Sequence, residues 1–130
     1  LAELDTEKAT DSAVVHDTGA ESISGAKRGT AAVLTSTSAS IAVDLALANN
    51  FTHTTSEDTT LANPSNVVAT QAGHIVVTQG ATARTLAFGS QWKPISGAQP
   101  ALTPTTGAVD LISYLVVDST HVLYSVAPGY

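Results

Sequence analysis

The chain has no cysteine and no methionine among its 130 residues. Without cysteine, neither a disulfide nor a thiolate metal site can form. Charged residues make up only 12% of the chain, about half the share usual in globular proteins. Aromatics reach 5% while hydrophobic residues reach 43%, so the apolar content is mostly Ala, Val, Leu and Ile. Such a surface is hydrated by hydroxyls and amides, and it packs against copies of itself at little desolvation cost. Basic residues are also scarce: Lys8, Lys27, Arg28, Arg84 and Lys93 stand against eleven acids, for a formal net charge of -6. That balance excludes a phosphate-binding patch, so no nucleic-acid partner is expected, and it disfavours attraction to anionic lipid. No stretch reaches the roughly 18 apolar residues of a membrane span. The missing methionine leads us to expect that these residues are the ordered part of a longer protein.

What the chain does have is β grammar. Val109 to Val117 and His121 to Val126 are β-branched and aromatic runs joined across Asp118-Ser119-Thr120, a strong hairpin signal. Upstream, Ala31–Thr35 is a candidate strand, and Ile41, Val43 and Leu45 alternate on one face of Ser40–Leu45. Phe51–Thr55, Thr59–Ala62, His74–Gln79 and Arg84–Phe88 follow, separated by Asn49-Asn50, by Asn63-Pro64-Ser65-Asn66 and by Gly80–Ala83. The run Leu111–Val117 is apolar at both parities, which predicts a central strand covered on both faces. Gly89–Gly107 holds Pro94, Pro100 and Pro104 and reads as a long loop with a short strand around Trp92. Strands every 8 to 12 residues between turns predict an all-β, antiparallel β-sandwich, jelly-roll-like, over 30–130. Residues 1–29 differ and form an N-terminal attachment segment. Leu1–Ala9 is a short helix or extended stretch, marginal alone in water, and Glu21–Arg28 is an edge strand.

Two stretches together resemble bacteriophage tail-fibre and virion structural proteins. Ala13–Lys27, with its Val-His-Asp-Thr-Gly turn and Glu-Ser-Ile-Ser-Gly-Ala-Lys strand, is similar to a connector leading into a distal domain. Asn50–Thr52, Thr60–Asn66, Gly73–Gln79, Arg84–Lys93 and the closing hairpin resemble the small β domain at the C-terminal end of phage fibres. At Gly29-Thr30 the sequence departs from the aromatic more usual after that connector. The resemblance implies a virion protein: a trimeric tail-fibre or spike distal domain that assembles with other virion proteins and contacts the host surface. Head fibres, capsid decoration proteins and free-standing carbohydrate-binding modules share the expected fold.

Reactive constellations are sparse, and no enzyme activity, cofactor or metal is expected. His16, His53, His74 and His121 show no local ligand spacing, which leaves only convergence of His53 with His74 through folding, or with their own copies on a threefold axis, as a route to a metal site. Asp118, Ser119 and His121 contain triad residue types but lie in a turn with no nucleophile elbow. Asp44, Glu57, Asp58 and Asp110 offer no recognisable acid pair. Asn50-Phe51-Thr52 matches a glycosylation sequon, which carries no weight in a phage setting. Binding is expected in the long loop. Trp92 would stack on a sugar ring, with Gln91, Lys93 and Gln99 serving its hydroxyls, or else Trp92 anchors the loop to the core.

Overall fold

A computed structural model describes Ala26 and residues 28–130. The expected N-terminal helix, and the Glu21–Arg28 strand apart from Ala26 and Arg28, lie outside the described residues. Ten strands follow in order: β1 (Ala32–Leu34), β2 (Ser36–Thr37), β3 (Ser40–Ile41), β4 (Asn50–Thr54), β5 (Thr59–Leu61), β6 (Ala72–Thr78), β7 (Leu86–Phe88), β8 (Trp92–Pro94), β9 (Val109–Asp118) and β10 (His121–Pro128). They form a six-stranded sheet, β1-β4-β6-β9-β10-β8, and a four-stranded sheet, β2-β3-β5-β7. The described residues are therefore all-β, with one core between two mixed sheets.

The antiparallel sandwich expected from strand spacing is corrected. Five of the eight strand pairings are parallel, namely β1 with β4, β4 with β6, β3 with β5, β5 with β7, and β10 with β8. From β3 to β8 the chain alternates between the sheets, so β1, β4 and β6, and likewise β3, β5 and β7, pair with strands a full circuit away; only the β2–β3 and β9–β10 hairpins join sequence neighbours. Three coils stack in this way. Parallel pairing requires a crossover of a dozen or more residues; the other sheet's strands and turns supply it for the stacked coils, and the long loop with β9 supplies it between β8 and β10. A parallel bridge between Asp44 and Ser65 ties the first two coils at a third position.

Inward positions of successive coils come into register. Ala32, Phe51, Ile75 and Ile112 form one stack, and Leu34, His53, Val77 and Asp110 form the next. Ile41, Leu61 and Phe88 line the opposite wall. Phe51, Ile75, Ile112, Ile41 and Leu61 are each at most 1% exposed, so this column is the core. Burial of such side chains contributes about 1.5–3 kcal/mol each. The last coil is closed by the β9–β10 hairpin, whose β9 pairs antiparallel with β6. That hairpin forms where its turn residues predict it. Its β9 is central in strand order but covered on one face only, because Leu111, Leu115 and Val117 are exposed.

Candidate binding site

The four residues expected to bind a sugar are not brought together. Trp92 is 3% exposed. Its Nε1–H donates to the Ala62 carbonyl at 2.9 Å, and its ring meets Tyr114 and Tyr124 edge-on with centroids 6.2 and 6.1 Å away. The buried indole has no face to offer a ligand. Lys93, the next residue on β8, points to the outside of the six-stranded sheet beside Leu123. Gln91 is held by its backbone, its N–H donating to Asn63 Oδ1 at 2.8 Å and its carbonyl accepting from Val122. Gln99 borders a cavity.

That cavity is a cleft of about 410 Å³ between the Ala83–Leu86 segment and the Gln99–Pro104 segment, within the size range of small-ligand sites. Leu86 and Leu102 are buried beneath it and Pro100 and Pro104 wall it. Arg84 and Thr85 line one rim and Gln99 the other. Gln99 Oε1 accepts from the Phe88 N–H at 3.3 Å, which leaves its amide nitrogen to donate. No carboxylate among the described residues pairs with the Arg84 guanidinium. The cleft thus combines an apolar floor with a cation and an amide donor, a chemistry suited to a hydroxylated or anionic ligand.

Two buried polar side chains hold the rims in place. Gln79 is 3% exposed. Its Oε1 accepts from Thr55 Oγ1 at 2.8 Å and from the Arg84 N–H at 2.9 Å, and its Nε2 donates to the carbonyls of Arg84 and Thr103 at 2.9 and 3.1 Å. One amide therefore ties both rims to the third coil. Asp110, 2% exposed, accepts from the Thr103 N–H at 2.6 Å, from Thr103 Oγ1 at 2.7 Å and from the Gly129 N–H at 3.3 Å. Sequence reasoning missed both as site builders. The available signal was a polar residue at an inward position: Gln79 continues Ile75 and Val77, and Asp110 precedes Ile112 and Tyr114.

The other acids among the described residues cap loops and turns. Glu57 accepts from the Ala39 N–H at 3.0 Å and Asp58 from the Thr85 N–H at 2.9 Å. Asp44 accepts from Asn66 Nδ2 at 2.7 Å and from the Ala46 N–H at 2.9 Å, and these bonds, Asn66 first, lower its pKa. Asp118 Oδ1 accepts from the Thr120 N–H at 2.9 Å and lies 2.8 Å from His121 Nδ1. The Thr120 N–H, then His121, hold the Asp118 carboxyl down at about 2. Ser119 makes no side-chain bond to either partner, and the arrangement closes a turn. His53 faces inward, within 2.8 Å of the Leu34 carbonyl through Nδ1, while His74 faces outward on β6, so the two do not converge. Among the described residues no three His, Cys, Asp or Glu side chains form a group able to hold a metal ion.

Comparison of the chain with protein-family models, with curated proteins and with solved structures finds no match.

Proposed function

We propose that the chain is a structural protein of a bacteriophage particle, the distal domain of a tail fibre or spike, acting as a homotrimer in virion assembly and host-surface contact. The observation that carries this reading is the stack of parallel coils. Stacked repeats contact only their neighbours and grow along one axis, which is the shape a fibre or spike needs. The side-chain inventory supports an architectural role too, since each described acid is engaged by a turn or loop. The test is location. An antibody against the chain, applied to particles released by cells carrying its gene, should label a fibre or spike tip in electron micrographs. Purified particles that lack the chain would overturn the reading.

A free-standing carbohydrate-binding module is the second reading, favoured by the cleft beside Arg84 and Gln99. Titration of the chain with neutral and acidic sugars, followed by amide NMR, separates the two. Saturable shifts confined to Ala83–Leu86 and Gln99–Pro104, in a chain absent from particles, would favour the module.

A further inference from the structure

The six-stranded sheet has one face turned to the core and another turned outward, and the register defines the outward face row by row. Val33, Thr52, Val76, Leu111 and Ala127 lie side by side across five strands. Asn50, His74, Ser113 and Ser125 form the next row. Ala72, Leu115, Leu123 and Lys93 form a third. Lys93 ends the third row at the β8 edge and Asp118 sits at the hairpin turn; the rest of these rows carry no carboxylate, ammonium or guanidinium group. Val33 is 74% exposed, Val117 47%, Leu115 43% and Leu111 36%. Two apolar rows flanking an uncharged polar one, with four large hydrophobics exposed, mark an interaction surface.

We infer that this outer face is where copies of the chain pack against one another, three such faces turned inward about a shared threefold axis. The inference rests on the homotrimer reading and supplies its surface. The first argument is β9, which is largely apolar on both faces although the described residues cover only the inner one. A strand with that pattern is built for cover on both sides, and a second copy offers the same uncharged, apolar face in return. The second argument is charge. The chain carries -6 overall, yet these faces can gather about a threefold axis without like-charge repulsion. Its own residues 1–25 are a poor cover, because they contain six acids and a single lysine, and this face holds no buried cation to repay their desolvation. The third argument is area. For the observed strand lengths, a spacing of ~4.8 Å and a rise of ~3.3 Å per residue give a flat footprint of roughly 600 Å². Side-chain relief raises the accessible area further, toward the ~800 Å² per partner of a stable interface.

The test exploits the absence of cysteine. Ser125→Cys places a single thiol on the face, and Thr60→Cys places one on the exposed side of the four-stranded sheet. Each variant of the full chain is treated with a short bismaleimide at tens of micromolar, and mass is measured by light scattering. The expected result is a three-chain mass, efficient cross-linking through position 125 and none through position 60. Leu115→Asp, at a partly exposed position, should weaken association at least tenfold while keeping the melting transition of a folded protomer. If that variant does not fold, the cross-linking comparison decides alone. A trimer that cross-links through position 60 and not 125, or that persists undiminished in folded Leu115→Asp, overturns this face and leaves the homotrimer standing. A monomeric wild-type chain overturns both.

Discussion

The Tyr114 hydroxyl donates to the Asn49 carbonyl at 2.6 Å, joining the central strand of the large sheet to the turn that leads into β4. The neighbour beneath this bond is Gly73, where a Cβ would overlap the same carbonyl oxygen. Tyr124, on the paired strand, presents the opposite case. Its ring stacks on Phe88 with centroids 4.1 Å apart, but its buried hydroxyl has no partner. Burial raises the pKa of both phenols.

These two tyrosines make a paired prediction. Tyr114→Phe removes a made bond and leaves the Asn49 carbonyl short of a donor, and should cost about 1–2 kcal/mol. Tyr124→Phe removes a group that is desolvated without compensation, and should be neutral or stabilising. Denaturant unfolding of both variants checks the contrast. Equal losses would show that the Tyr124 hydroxyl is satisfied in solution.

Much of the strand content was legible because it depends on local pattern. The hairpin turn at Ser119-Thr120 and the alternation of Ile75 with Val77 both speak within a few residues. Pairing was not legible. Phe51 lies beside Ile75 in parallel register, and no residue between them announces it, so regular strand spacing pointed to an antiparallel sandwich. The cleft between Ala83–Leu86 and Gln99–Pro104 was invisible for the same reason, since the carbonyls that Gln79 reaches are set by coil stacking. Trp92 was legible as the notable aromatic of the long loop, but its direction was not. Alternation on β8 sends Trp92 into the core and Lys93 outward. The doubly apolar Leu111–Val117 run signalled two covered faces, and the protomer supplies one.

A stabilising substitution is expected at the β2–β3 turn. Ser38 and Ala39 both have positive φ, 51° and 60°, the left-handed region where a Cβ is costly. Asn and Gly are the residues a two-residue hairpin of this kind prefers. Ala39→Gly should therefore raise stability by about 1 kcal/mol, and Ser38→Asn with Ala39→Gly by somewhat more. Thermal unfolding measures both, and no gain would mean that the turn relaxes out of this conformation.

Asp118 gives a prediction in acid. Its carboxyl is held at about 2 chiefly by the Thr120 N–H and secondarily by His121. Because the folded group ionises more readily than the unfolded one, its contribution is complete above the ordinary aspartate range and is lost as the pH falls toward about 2. A carboxyl-carbon NMR titration should find this low midpoint. His121→Ala should raise it only part of the way, since the larger cause remains. A midpoint restored fully by that change would assign the effect to the imidazole instead.

Trp92 separates a core role from a contact role. Trp92→Ala should cost about 3–5 kcal/mol, the usual loss for a large buried aromatic. Trp92→Phe retains much of the packing but leaves the Ala62 carbonyl without its donor, and should cost less. Folded Trp92→Phe chains should adsorb to host cells as well as the wild type. Reduced adsorption at unchanged folded fraction would return the indole to a binding site.

Gln79 carries the largest polar effect expected in the molecule. Truncation to Ala removes four hydrogen bonds at once, and it strands the Thr55 hydroxyl, the Arg84 N–H and the Arg84 and Thr103 carbonyls. Leaving buried groups unpaired costs about 1–3 kcal/mol each, with partial rescue by water, so a total loss of about 2–4 kcal/mol is expected. Gln79→Glu is the sharper variant. It keeps size and both acceptor interactions but takes away the two donors, so Arg84 and Thr103 each lose a partner while Thr55 does not. Amide exchange should then accelerate around Ala83–Leu86 and Gln99–Pro104 and stay slow in β4 and β6. Uniform acceleration across all the strands would mean that Gln79 stabilises the whole coil stack rather than the rims of the cleft.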